Sequence, residues 1–410
     1  IWSLKVSDCL SFEAVYQSAN RLRAFKQAMQ AVFPGQPAIL VLTDAIRQKE
    51  SQTRKPRAAK PRQRTLKVSV PLEKLPGPWK DALEDMEAGF DRGGVIAPSQ
   101  NMIPTYEMKL RQFAWSARKA GLPEKFSVDT VIAYARDMRG RGLVAATQLA
   151  SFSALKKTAR YVGIDQEVLA LLSELIRKSD EQARKAPKKK YEKLQKTGYS
   201  PVAIVDQADD LLKEARSLTC PRVQQARRNT AASLALFSVL PVRLADTRLN
   251  FGEHLSWRDR GYELHLTLSK DEEAYDAELD PRLNRFIDAL ILRGCDEVWL
   301  PQMREDCMNS GRPLFIRNDG EGVGYNYVSN CWREIFGTGE HIARTILHTF
   351  LGIELGAAGT DMALAANGQK SVQTAAAYQD EMVAKARRLQ GQKAFEGMVD
   401  DAQLALFEFT

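Results

Sequence analysis

Leu240-Pro241-Val242-Arg243-Leu244-Ala245-Asp246-Thr247 follows an apolar helical run and sets an arginine three residues before a carboxylate. Downstream, Tyr262-Glu263-Leu264-His265-Leu266-Thr267-Leu268-Ser269 alternates apolar and polar residues, as a half-buried strand requires, and Lys270 closes it. Arg258-Asp259-Arg260-Gly261 before that strand reads as a turn. His341-Ile342-Ala343-Arg344 then opens a helix, and Asn367-Gly368-Gln369 and Tyr378 follow. The residues with chemistry to offer therefore come in the order Arg, Lys, His-x-x-Arg, Gly-Gln and Tyr.

The surrounding chain has 410 residues, of which 44% are hydrophobic and 27% charged. That is enough for two or three domains of roughly 100–200 residues with proper cores, and it excludes a disordered tail. Lys and Arg number 59 against 51 Asp and Glu, a net charge of +8. A polyanionic partner follows, nucleic acid ahead of an acidic membrane surface. The most apolar run, Ala231 to Val242, is short and carries Pro241, so no membrane span is expected. The opening Ile1-Trp2-Ser3-Leu4 has no basic stretch leading into an apolar one, so no signal peptide is read there; the missing Met implies a trimmed start. Five scattered cysteines without a CxxC pair read as reduced thiols in a cytoplasmic setting. With no HExxH frame, no GxxxxGK[ST] and no GxGxxG, neither a metal nor a nucleotide cofactor is expected.

Two runs of like charge divide the chain. Residues 49–67 hold Arg54, Lys55, Arg57, Lys60, Arg62 and Arg64 with Pro56 and Pro61, and residues 184–197 hold Lys188, Lys189 and Lys190. Such blocks repel and resist packing, so both read as linkers whose cations meet phosphates. Residues 1–48 read as a small helical N-terminal appendage. Residues 68–183 read as a helical domain. Its apolar stripes are Tyr106, Leu110, Phe113 and Ala117; Val128, Val131, Ile132, Ala135 and Met138; and Leu149, Phe152, Leu155, Ala159 and Val162. Cations outside the stripes, among them Lys109, Arg111, Arg118, Lys119, Arg136, Arg139, Arg141 and Arg160, are available to a DNA backbone. Residues 198–386 read as mixed α/β, with helices over Val202–Arg216, Gln224–Leu240, Arg282–Arg293, Tyr327–Phe336 and His341–Gly356. Residues 387–410 read as a C-terminal tail with an apolar end at Leu404, Leu406 and Phe407.

The ordered set resembles the catalytic domain of the tyrosine recombinases, the phage-integrase family, over roughly Thr105–Asp380. Arg243 with Asp246 falls where that family has its first arginine and an acidic residue three places on. Lys270 matches its β-hairpin lysine, and His341 with Arg344 its HxxR box. Gly368 precedes the position usually held by His or Trp, here Gln369, and Tyr378 falls nine residues later (378 − 369), where the family has its nucleophile. The resemblance implies a mainly α fold with a small antiparallel β-sheet, in which a helical core-binding domain (68–183) that binds DNA joins a mixed α/β catalytic domain (198–386) and the tail 387–410 docks on a neighbouring subunit.

The implied chemistry suits these residue types. Two guanidiniums, Arg243 and Arg344, hold the non-bridging oxygens of a phosphodiester whose charge grows in the transition state. Tyr378 attacks phosphorus to give a 3′-phosphotyrosyl enzyme, Lys270 protonates the leaving 5′-oxygen, His341 assists proton transfer, and Gln369 donates a hydrogen bond to the phosphate. One phosphodiester exchanges for another, which calls for neither ATP nor metal. The implied partner is double-stranded DNA bearing a specific recombination site, bound by a dimer and synapsed as a tetramer, with accessory recombinases or a directionality factor; the implied place is the bacterial nucleoid, and the implied task is integration of a mobile element. Two other readings stay open. In a second register Leu347-His348-Thr349-Phe350 takes the place of the family's arginine-histidine text, Arg344 falls on the histidine position, and the chain is a catalytically silent DNA-binding accessory. A relative that cuts one strand without partner exchange, such as a type IB topoisomerase or telomere resolvase, shares the same chemistry.

Overall fold

The computed structural model describes residues 19–53, 68–186, 200–270, 272–318 and 320–369, together with Val383. It divides into two compact units, residues 57–188 and residues 1–56 with 189–410. The architecture is mainly helical with one small antiparallel sheet. No described helix is long and apolar enough to cross a membrane.

The first two described helices, α1 (Ala19–Val32) and α2 (Pro37–Thr53), form a hairpin around Leu22, Met29, Leu42 and Ala45. This hairpin belongs with the second half of the chain: Leu40 packs against the main core, Asp44 pairs with Arg293 at 3.2 Å, and the Asp296 amide donates to the Gly35 carbonyl at 3.1 Å. Helix α2 also runs four residues past Lys49, into the stretch read as linker.

Residues 57–188 carry α3 (Gly77–Glu87), α4 (Ile103–Lys119), α5 (Val128–Gly140), α6 (Ala145–Val162) and α7 (Gln166–Lys185). The three expected stripes are the core faces of α4, α5 and α6. Leu110, Phe113, Val131, Met138, Leu155 and Ala159 are fully buried. Aromatic rings knit the centre, with Phe113 5.5 Å from Trp79, 5.1 Å from Phe126 and 5.6 Å from Tyr134 between centroids. Ser127 caps α5 in a reciprocal box with Thr130, and Gly163, at φ +81°, ends α6.

Several cations expected to face DNA have other work. Lys109 is buried, and burial, then Arg141, pushes its pKa down. Arg111 pairs with Glu107 at 2.7 Å, Arg118 with Glu124, and both Lys119 and Arg141 converge on Asp137. Arg136, Arg139 and Arg160 are exposed.

The other unit contains α8 (Pro201–Ser217), α9 (Pro221–Val239), α10 (Asn284–Leu292), α11 (Leu300–Ser310), α12 (Tyr327–Phe336), α13 (Ile342–Glu354) and α14 (Gly356–Ala366). Its sheet has the order β1 (Leu255–Arg258), β2 (Gly261–Thr267), β3 (Ala274–Glu278). The β1–β2 loop is Asp259-Arg260, both at positive φ (47° and 73°), the geometry of a two-residue hairpin turn whose twist matches its strands. On β2, Tyr262, Leu264 and Leu266 point into the core while Glu263, His265 and Thr267 do not, as the alternation predicts. Helix α9 is buried nearly all round, its alanines letting neighbouring helices approach.

At the centre Trp332 is fully buried, its ring 5.5 Å from Phe336 and its indole N–H donating to the Ser233 carbonyl at 3.4 Å. Trp332→Ala should cost about 3–5 kcal/mol, the usual range for deleting a core aromatic, and urea unfolding followed by circular dichroism checks it.

Candidate functional site

After α9 the chain turns through Pro241-Val242 into a short 3-10 turn, Leu244–Thr247, with Arg243 as the extended residue ahead of it. The Asp246 amide donates to the Arg243 carbonyl at 2.7 Å, which puts the Asp246 side chain on the inside of the turn. That carboxylate is buried, and its Oδ1 accepts the Ser269 amide at 2.9 Å. Ser269 precedes Lys270 in the β2–β3 turn, which closes where the Leu268 amide donates to the Glu273 carbonyl at 2.8 Å. Lys270 is exposed. The acid three residues beyond Arg243 thus fixes the backbone that carries Lys270.

Helices α13 and α14 bring the second cluster. His341 is the exposed residue capping α13, and Ile342 through Thr349 are all buried, including Arg344 at 4% exposure and His348 at 0%. Positions 341, 344 and 348 share one helix face. Helix α14 ends in a Schellman motif: Gly368 is left-handed at φ +57°, its amide donates to Ala365, and the Gln369 amide donates to Leu364 at 2.9 Å. The motif turns Asn367 and Gln369 back onto the polar face of α13. Arg344 Nη2 donates to the Asn367 carbonyl at 3.3 Å, and His348 Nε2 lies 3.0 Å from Gln369 Oε1. An amide oxygen only accepts, so the imidazole donates from Nε2 and the Gln369 NH2 group is turned to the opposite side.

The two clusters meet at Gly368. A Cβ there would lie 2.5 Å from Leu268 Cδ1, so glycine alone lets the end of α14 sit against the strand leading to Lys270. Tyr275 on β3 adds a tie, its hydroxyl donating to the Ala366 carbonyl at 3.0 Å. Burial pushes the Tyr275 phenol up to about 12, with the nearby Arg344 charge pulling the other way. Glu340, also buried, has its pKa raised by burial against the His341 amide and Ser329 hydroxyl donated to it and the Arg344 charge.

The segments that carry Asp246, Lys270, Arg344 and Gln369 are therefore joined by contacts at Ser269, Leu268, Gly368 and Asn367, with Arg243 at the start of the first segment and His341 at the head of α13. Tyr378 lies outside the described residues, as do Arg54, Lys55, Arg57, Lys60, Arg62, Arg64, Lys188, Lys189 and Lys190. Tyr275, Asn367 and Glu340 were not singled out from sequence, because each acts through a backbone or burial contact that no spacing announces. His348 was recognisable, one turn beyond Arg344 on the same face.

No protein-family model and no curated protein matches the chain. Among solved structures it is similar to XerA recombinase, at 12% identity over 77% of this chain and 97% of that one, with a TM-score of 0.32. It is also similar to XerH site-specific recombinase bound to palindromic difH substrate in a post-cleavage complex, at 13% identity over 80% of this chain and 98% of that one, TM-score 0.44. A pre-cleavage complex of XerH with difH substrate gives 12% identity, coverage of 76% and 96%, and a TM-score of 0.34.

Three outcomes test this geometry. Asp246→Ala should raise the hydrogen-exchange rate of the Ser269 amide on the order of tenfold or more, read by NMR or mass spectrometry. Gly368→Ala should cost roughly 1–3 kcal/mol in denaturant unfolding, from the left-handed backbone and the clash with Leu268. Because Glu340 is more easily protonated folded than unfolded, it lowers stability as pH rises through and above the ordinary carboxylate range. Glu340→Gln should flatten that decline, visible as a smaller difference between melting temperatures at acid and neutral pH.

Proposed function

We propose that the chain is a site-specific DNA recombinase that cuts and rejoins strands through a tyrosine, the integrase of a bacterial mobile element. The observation that carries this reading is the contact set Asp246–Ser269, Leu268–Gly368, Gln369–His348 and Asn367–Arg344. It draws separate segments of the ordered Arg, Lys, His-x-x-Arg, Gly-Gln series to one place.

In the proposed reaction the Tyr378 oxygen attacks the scissile phosphorus and the bond from phosphorus to the 5′-oxygen breaks. Arg243 and Arg344 offset the charge gathering on the non-bridging oxygens, and the Gln369 amide, oriented by His348, donates to one of them. Lys270 gives its proton to the departing 5′-oxygen, and His341 assists proton transfer at the phosphate. A 5′-hydroxyl from the partner duplex then attacks the phosphotyrosine and releases Tyr378. Asp246 and the Asn367 carbonyl act as positioning groups for Lys270 and Arg344. The DNA partner is a duplex bearing a recombination site, bound by a dimer and synapsed as a tetramer at the bacterial nucleoid. The linker cations at 54–64 and 188–190 follow its phosphates, so affinity falls steeply with salt.

One observation favours a second reading. Arg344 is almost wholly buried and spends Nη2 on a backbone carbonyl, and Gln369 stands where an acid-base histidine is usual in the family the sequence resembles. In that reading the chain is a silent DNA-binding partner.

A library of nicked duplexes, incubated with the protein in EDTA and run on denaturing gels, separates them. The recombinase reading expects a covalent adduct that vanishes in Tyr378→Phe while DNA binding persists. Lys270→Ala should slow cleavage on the order of 10²–10⁴-fold, and a 5′-bridging sulfur, which leaves without a proton, should restore it. Salt-sensitive binding with no adduct from any duplex would support the silent partner instead.

A further inference from the structure

A cavity of about 400 Å³ lies between the α1–α2 hairpin and the first turns of α9. Its volume is that of a small-molecule site. Lys26, Arg216, Arg228 and Arg293 line it, and among the described residues no Asp or Glu does. Asp44 is committed to Arg293 at 3.2 Å, Arg293 Nη2 also donates to the Asn318 carbonyl at 3.3 Å, and the Asp296 carboxylate lies beside Gly35 at the rim.

Arg228 differs from Arg293. It is 6% exposed, and among the described residues no carboxylate or carbonyl pairs with its guanidinium. Gly294, which has no side chain, leaves room beside it: a Cβ there would lie 3.1 Å from Arg228 Nη2. A guanidinium keeps its proton at any physiological pH, so burial without a counter-charge is a standing cost. Burial, then Arg293 and Arg216, pushes the Arg228 pKa down; burial, then Arg47, does the same to Lys26 against the pull of Asp44. The cluster gains most from an anion that enters the cavity.

We infer that this cavity binds a small molecule through a terminal phosphate or diphosphate, with Arg228 as the central group and Lys26, Arg216 and Arg293 around it. A duplex carries singly charged phosphodiesters on a convex surface, whereas a terminal phosphate carries more charge and can reach a guanidinium at the floor of a cavity. Arg228 sits in the second turn of α9, and the Arg243 site follows its last turn, ~17 Å further along the helix, so the two are separate.

The probe is sodium pyrophosphate, titrated calorimetrically into the full chain at fixed ionic strength, with sulfate as the control anion. The expected result is one pyrophosphate per chain, a rise in melting temperature with pyrophosphate concentration, and at least a tenfold weaker affinity in both Arg228→Met and Lys26→Gln. Arg228→Met without anion should melt no lower than wild type, because it removes an uncompensated buried charge; Lys26→Gln keeps the test valid if that variant folds poorly. The inference is overturned by no binding up to millimolar pyrophosphate, by equal binding in the variants, or by an equal effect of sulfate. It is also overturned if Arg228→Met weakens duplex binding while pyrophosphate does not bind, since the cavity would then serve DNA.

Discussion

A buried carboxylate holding a single backbone amide is the contact on which the candidate site depends. Asp246 stands just beyond a helix that is core on nearly every side, and the Ser269 amide it accepts belongs to the β2–β3 hairpin turn, which the Leu268 amide closes onto the Glu273 carbonyl. A buried carboxylate is costly unless something donates to it, and the amide answers that need at Oδ1 while losing the freedom of an exposed turn. An exposed lysine at a hairpin tip would otherwise sample many positions; here the residue before it is anchored to the same turn that presents Arg243.

The helical side solves a related problem by different means. Helix α13 is buried from Ile342 to Thr349 yet carries Arg344 and His348 inside. Both find partners at the end of α14, where a left-handed glycine exposes carbonyls and an amide side chain that a continuing helix would have kept to itself. The same glycine, having no Cβ, admits the contact with Leu268 that joins helix end to hairpin. Stability and site geometry therefore meet in one residue.

Much of the fold is legible in the sequence where periodicity is strong. The stripes of α4, α5 and α6, the helix Tyr327–Phe336 and the alternation of β2 all correspond to observed elements, with ends shifted by a few residues. Strands β1 and β3 were not legible: Leu255–Arg258 and Ala274–Glu278 are short, and β3 is half exposed along its length, so pairing with β2 rather than intrinsic pattern makes them strands. The docking of α1–α2 was hidden because Asp44 and Arg293 are distant in sequence and neither announces the other. Lys109 shows the limit of reading charge as surface, since a helical stripe leaves room for a lysine stem at its buried edge. Within the candidate site, Arg243, Lys270, Arg344 and Gln369 were named from their order and the family that order resembles, while Asn367 acts through a backbone carbonyl that any residue would supply and Tyr275 through a hydroxyl given to the backbone of Ala366.

The central claim is that these groups address one phosphate. A crystal structure of the full chain on a nicked duplex, with orthovanadate replacing the scissile phosphate, tests it directly. The account predicts Arg243 and Arg344 on the vanadate oxygens, the Gln369 amide on one of them, Lys270 near the 5′-oxygen and the Tyr378 oxygen in line with it. An Arg344 still bonded to the Asn367 carbonyl and remote from the vanadate, or DNA held with no vanadate at this site, would contradict it.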